Sequence, residues 1–216
     1  MNIAVFDSGV GGTSVLDHLQ SKLPHTRFYY FMDNLYRPYG KLTLSTLHKR
    51  LLAKLRTAIQ MVPTIDLIVV ACNTASTQGL DFLRASTNIP IVGVVPAIKP
   101  ASAMSQKSVG LLATPATVKS AYVNNLVEQY VPDKPVYLYG STELVHLAEE
   151  KFWKGSVSLS KVRRELQALS IHQDVDCLVL GCTHFPILKE EIQAILGESV
   201  QLIDSGSAIA ERVFFY

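Results

Sequence analysis

The sequence predicts an α/β fold built as two pseudo-symmetric halves, each a parallel sheet wrapped by helices, and three observations carry that prediction. Short β-branched runs alternate with longer amphipathic stretches along the whole chain, as strands joined through crossover helices do. The segment Asp66-Leu-Ile-Val-Val-Ala-Cys72-Asn73-Thr74 is matched by Asp176-Cys-Leu-Val-Leu-Gly-Cys182-Thr183-His184, with each cysteine six residues after its aspartate. Phe6-Asp7-Ser8-Gly9 corresponds in the same way to Ala113-Thr114-Pro115-Ala116. A duplicated unit of this kind gives two flavodoxin-like domains, 1–95 and 96–206, facing each other across a cleft.

The elements follow in order. Ile3–Phe6 is an apolar run closed by Asp7 and a glycine-rich turn, and Ser14–Leu23 is the first amphipathic stretch. Arg27–Met32 is the second strand. Asp33-Asn34-Leu35-Tyr36-Arg37-Pro38-Tyr39-Gly40 is rich in turn formers and reads as a loop. Leu44–Met61 is a long helix, Leu67–Ala71 a buried strand and Ile91–Val95 the fourth strand. The second half repeats the plan, with strands at Val109–Ala113, Pro135–Tyr139, Cys177–Gly181 and Val200–Ile203. Helices are expected there over Thr117–Tyr130, Thr142–Trp153, Leu159–Ser170 and Ile187–Leu196.

With 216 residues, 48% of them hydrophobic, the chain can bury a substantial core. Twenty basic residues against 18 acidic ones, without a basic run longer than Lys49-Arg50 or Arg163-Arg164, give no footprint for nucleic acid or an anionic membrane. A small-molecule partner is expected instead. Asp7 interrupts the first apolar run, leaving no room for a signal peptide, and the most apolar stretch, 67–72, is too short to span a bilayer; a cytoplasmic location is expected. Three cysteines are an odd count without framework spacing, which fits reduced thiols.

In open parallel sheets, ligands bind at the carboxyl ends of the strands. Cys177 lies inside a strand and reads as a small core hydrophobe. Cys72 and Cys182 each end a strand ahead of polar residues at an expected helix N-terminus, where backbone N–H groups favour a thiolate. Asp7-Ser8-Gly9-Val10-Gly11-Gly12 is a poor phosphate loop: no G-x-G-x-x-G follows the strand, no lysine follows the glycines, and Asp7 repels phosphate. It is either a glycine-rich turn with an aspartate cap or a carboxylate that handles an ammonium group or assists proton transfer. His184 is either a satisfied polar residue near the core or the group that stabilises the Cys182 thiolate or relays its proton. Cys177, Cys182 and His184 form no CxxC or HxxxH pattern, so no metal site is expected. Tyr39 belongs to a surface loop or lines the cleft.

At these residues the chain resembles the glutamate racemases of the aspartate/glutamate racemase superfamily, through FDSGVGG at 6–12, DNLYRPYG at 33–40, VVACNTAS at 69–76, GVVPAIKPA at 93–101, LLATPATVKS at 111–120, LVLGCTHFP at 178–186 and DSG at 204–206. The resemblance implies a cofactor-independent isomerase that supplies D-glutamate for peptidoglycan, and hence for cell shape. It implies Cys72 and Cys182 as the two acid/base residues, the former acting on D-glutamate and the latter on L-glutamate. Asp7, His184 and Glu149 are their implied auxiliaries. Substrate contacts are implied for Asp7, Ser8, Tyr39, Gly40, Asn73, Thr74, Thr117, Thr183 and His184. A homodimer is compatible with it, and a C-terminal helix over 207–216 is expected to complete the first domain. Family members continue past that helix, so the aromatic end Phe214-Phe215-Tyr216 is expected to be a cut surface.

Such a site must take a weakly acidic α-proton from one face and return one to the other, with donors for the charge that grows on the carboxylate. Three other readings compete: a racemase for another acidic amino acid, a non-catalytic amino-acid-binding regulatory protein, and a pyridoxal-phosphate racemase. Simple binding needs no matched pair of thiols.

Overall fold

The computed structural model describes all 216 residues. Its elements run β1 (Asn2–Asp7), α1 (Thr13–Lys22), β2 (Arg27–Met32), α2 (Leu44–Met61), β3 (Leu67–Val70), α3 (Asn73–Arg84) and β4 (Ile91–Gly93). There follow α4 (Ile98–Met104), β5 (Ser108–Ala113), α5 (Pro115–Val118), α6 (Ala121–Tyr130), β6 (Val136–Gly140), α7 (Glu143–Lys154), α8 (Leu159–Leu169), β7 (Val175–Leu180), α9 (Lys189–Leu196), β8 (Gln201–Ile203) and α10 (Gly206–Phe214). Residues Met1–Val95 with Ser205–Tyr216 form one compact unit and Pro96–Asp204 a second.

Each unit holds a four-stranded, all-parallel sheet, in the order β2-β1-β3-β4 and β6-β5-β7-β8. The strand order reverses between β1 and β3, and again between β5 and β7, which makes those two gaps the switch points where open α/β sheets hold ligands.

Side chains alternate across each sheet with the two-residue period of a strand. Ala4, Phe6, Ile68, Val70 and Cys72 face α2 and α3, where Leu47, Leu51, Leu55 and Leu83 complete the layer. Ile3, Val5, Leu67 and Val69 face the other way, against Val15 and Leu19 of α1 and Ile209, Ala210 and Val213 of α10. In the second unit Leu178, Leu180 and Cys182 join α7 and α8, whereas Cys177 and Val179 point to the opposite layer with Ile98, Ala101 and Val123. An odd separation of five thus sends Cys177 and Cys182 to different faces.

The aspartates that precede each cysteine by six residues tie the lower edges of the sheets. Asp66 accepts the backbone N–H of Asn2 at 2.7 Å. Asp176 accepts the Ser105 hydroxyl at 2.6 Å and the N–H groups of Gln106 and Lys107 at 2.7 and 2.9 Å. In both units the aspartate fixes the chain entering the first strand while the cysteine leaves the sheet at the other end.

Several elements differ from the sequence expectation. The helix expected over Thr117–Tyr130 is two helices, because Thr114 and Ser120 each turn a side-chain oxygen onto a backbone N–H and start a new helix. Seven-residue α4 was not anticipated; it is too short to show a periodic pattern and it contains Pro100. The glycine-rich turn carries no aspartate helix cap, since the N-cap of α1 is Gly12, without a side-chain cap. A Cβ on Gly12 would lie 2.8 Å from the Tyr30 hydroxyl and 2.9 Å from Cβ of Asp7, so glycine alone fits there. No helix is long and apolar enough to cross a membrane.

Candidate active site

In the first unit, Asp7 ends β1 and Cys72 follows β3, its neighbour in the sheet. Cys72 is the N-cap of α3, in an extended backbone conformation. It stands ahead of the first-turn N–H groups, which lack intrahelical partners and carry the positive end of the helix dipole. The thiol is 7% exposed and Asp7 2%. The Asp7 carboxylate accepts the Gly9 N–H at 3.0 Å and the Ser8 hydroxyl at 3.2 Å. Asn73 and Thr74 open α3 and are buried, and the Nδ2 of Asn73 is buried without a hydrogen-bond partner.

Tyr39 and Gly40 belong to a 3-10 turn over Tyr39–Lys41. The Tyr39 hydroxyl donates to Asp33 Oδ2 at 2.9 Å, and Arg50 on α2 donates to both Asp33 oxygens at 2.8 and 2.9 Å. Burial alone would raise the Asp33 carboxyl, but the hydrogen bonds from Arg50 and Tyr39 and the charges of Lys54 and Arg50 hold it below the usual carboxylate range. Burial raises the Tyr39 phenol far above its ordinary value, helped by the negative charge of Asp33 and then by Cys72 and Asp7. Tyr39 is therefore a neutral donor within electrostatic reach of both groups.

The second unit places Cys182 after β7, beside the strand that ends before Thr114. Here the expected helix N-terminus is absent: Cys182 and Thr183 enter a turn, a 3-10 segment covers Phe185–Leu188, and α9 begins only at Lys189. Pro186 enters this segment and shapes the tight turn. A Cβ on Gly181 would meet a methyl of Leu111 at 2.5 Å, so a side chain there, where the first unit has Ala71, would require Leu111 to move.

The helix dipole is replaced by side chains. His184 Nδ1 lies 3.9 Å from Cys182 Sγ, and its Nε2 lies 2.8 Å from Glu149 Oε1 on α7. Both His184 and Glu149 are buried, at 2% and 3% exposure. An ionised Glu149 can only accept, so Nε2 carries the hydrogen, and Nδ1 is the ring nitrogen that faces the thiol. Glu150, next along, instead pairs with Lys154 and Lys161. Thr117 is fully buried in α5, its hydroxyl 3.0 Å from that of Thr114. Cys177 is buried in its strand, and burial, aided by Asp176, pushes its thiol up to about 11. No cluster of three or more His, Cys, Asp or Glu is placed to hold a metal ion.

Sequence reasoning did not single out Asp33 and Arg50, or Trp153, whose indole N–H donates to Glu149 Oε2 at 3.0 Å. Only the i, i+4 spacing of Glu149 and Trp153 on one helix could have signalled the last contact.

The model of the Asp/Glu/Hydantoin racemase family matches residues 29–213. The chain belongs to that family. It is 52% identical over 211 residues to a protein of Vibrio cholerae named glutamate racemase, which covers 98% of this chain and 78% of the relative. The structure of Escherichia coli glutamate racemase in complex with L-glutamate and the activator UDP-MurNAc-Ala superposes with a TM-score of 0.94 at 42% identity, covering 99% of this chain and 81% of the other. Glutamate racemase from Aquifex pyrophilus superposes with a TM-score of 0.75 at 34% identity, covering 99% and 82%. As in those racemases, the architecture is α/β with two parallel four-stranded sheets.

Proposed function

We propose that this racemase-family chain interconverts L- and D-glutamate without a cofactor, with Cys72 and Cys182 serving one face each of the α-carbon, and that its D-glutamate is used for peptidoglycan. The single observation that carries the reading is the recurrence of a buried cysteine at the same switch point of two sheets with the same strand order. The relatives named glutamate racemase support the choice of substrate.

In one direction the Cys72 thiolate takes the α-proton of D-glutamate and becomes a thiol. The electron pair left on the α-carbon spreads into the α-carboxylate, where Asn73, Thr74, Thr117 and Thr183 are the candidate donors. The unpartnered Asn73 amide is suited to that task. Cys182 then gives its proton to the opposite face, leaving L-glutamate and a thiolate. In the reverse direction Cys182 first needs to lose a proton, and His184 Nδ1 can accept it, because the Glu149 carboxylate stabilises the imidazolium at Nε2. Asp7 serves the Cys72 side, holding the substrate ammonium or assisting proton transfer.

The test is incubation of the chain, dialysed against chelator, with L-glutamate and separately with D-glutamate. Both circular dichroism signals are expected to decay to zero. Signals that persist, or that decay only when a metal or pyridoxal phosphate is added, contradict the reading, and faster decay with aspartate would reassign the substrate.

A further inference from the structure

The two oxygens of Glu149 have different partners on opposite sides: Oε1 meets His184 Nε2 at 2.8 Å and Oε2 accepts the Trp153 N–H at 3.0 Å. Rotation about the terminal bond of a glutamate is broad and roughly two-fold, so a carboxylate held by one donor does not keep one orientation. A second donor on the other oxygen fixes it. Trp153 lies one helical turn beyond Glu149, where i and i+4 side chains meet. The residue is 62% exposed, and its ring rests edge-on against Phe152, with centroids 5.1 Å apart. Burial of apolar surface therefore explains little of this tryptophan, and the N–H is the part of it that reaches a buried group.

We infer that Trp153 is a positioning residue: its indole N–H locks the Glu149 carboxylate so that Oε1 holds His184 Nε2 and His184 Nδ1 faces Cys182. The inference rests on the reading that Cys182 exchanges a proton with substrate. Neighbouring charged groups on α7 make other pairs. Lys151 of α7 pairs with Glu190 and Glu191 of α9, and Glu150 pairs with Lys154 and with Lys161 of α8. Only His184 comes from the turn after β7. Loss of the indole N–H removes an interaction that favours ionised Glu149, so the acidic limb of the rate profile should move to higher pH.

Trp153 is the only tryptophan in the chain, so it gives a single indole N–H resonance. In the 216-residue chain that resonance should move upfield in Glu149→Gln, because a neutral amide is a weaker acceptor. Trp153→Phe keeps the ring contact with Phe152. It should lower kcat about three- to tenfold, the size expected for one ordinary net hydrogen bond acting through a neighbouring group, with KM little changed and the acidic limb displaced upward. Replacing Trp153 by 5-fluorotryptophan retains the N–H and should restore both. The inference is overturned if the indole resonance ignores Glu149→Gln, or if Trp153→Phe racemises glutamate with unchanged kcat and pH profile. A wild-type chain that racemises nothing overturns the underlying reading as well, so the two failures are told apart by the wild type.

Discussion

Cys72 and Cys182 leave the same strand of the same sheet topology, yet the protein handles the two thiols by different means. Cys72 caps a 12-residue helix and has the buried carboxylate of Asp7 on the neighbouring strand. Cys182 enters a turn without an α-helix and leans on the His184–Glu149 pair. At the position that corresponds to Asp7 the second unit has Thr114, whose hydroxyl caps α5. Sheet topology decides where the thiol emerges, and local sequence decides what surrounds it. One thiol stands at a helix N-terminus with a carboxylate on the next strand, and the other stands in a turn beside a histidine.

The largest expected effect comes from removing either thiol. Cys72→Ser and Cys182→Ser should each lower racemisation by about a thousandfold or more, since a hydroxyl is a far weaker acid and the base is lost. The two enantiomers have equal free energy, so kcat/KM must fall equally in both directions whichever cysteine is changed. The difference between the sides shows instead in α-proton exchange without inversion: Cys182→Ser should still wash deuterium into D-glutamate, and Cys72→Ser into L-glutamate. Exchange of both enantiomers by both variants, measured by proton NMR, would break the comparison.

Next come the auxiliaries. Asp7→Asn and Glu149→Gln should each cost roughly ten- to a hundredfold in kcat, with the fold intact. Steady-state rates with unaltered circular dichroism of the protein check this, and a loss below twofold in either variant would show that the corresponding support is dispensable.

The reading from sequence went furthest where local rules govern. The strands of both sheets were legible because parallel strands buried on both faces are continuous apolar runs, and α2 runs over the expected Leu44–Met61. The Asp-to-Cys spacing signalled duplication, but its physical meaning needed the structure: Asp66 and Asp176 are anchors at the opposite end of the strand from the chemistry. What was not legible depends on contacts distant in sequence or on turn geometry. Arg50 reaches Asp33 from 17 residues away, and His184 reaches Glu149 across 35. The turn at Cys182 looked like a helix start because Thr183 and His184 suit either conformation, and Pro186 permits both.

Stability reports on each unit in a smaller way. Asp33→Asn removes the charge that Arg50 and Lys54 share, and should cost about 2 kcal/mol. Asp33 titrates below its ordinary value of 3.8 when folded, so its stabilisation is complete above that pH and is lost as the pH falls through the lower folded value. Asp176 behaves alike in the second unit. Urea unfolding between neutral and acidic pH should show the wild type losing stability on acidification and Asp33→Asn losing less of it. The smallest effect is Cys177→Ser. It should lower the melting temperature, at about 1–2 kcal/mol for a hydroxyl placed in an apolar layer, while kcat stays as in the wild type. A fall in kcat without a fall in melting temperature would bring Cys177 into the chemistry.

Two distinct bases, one per face, are tested most directly by turnover in deuterated water. Starting from either enantiomer, the product formed in the first few per cent of reaction should carry deuterium at the α-carbon while the remaining substrate stays protiated, because the proton taken by one thiol is not the one delivered by the other. Recovered substrate as rich in deuterium as the product would mean that a single base serves both faces, and the paired roles of Cys72 and Cys182 would be wrong.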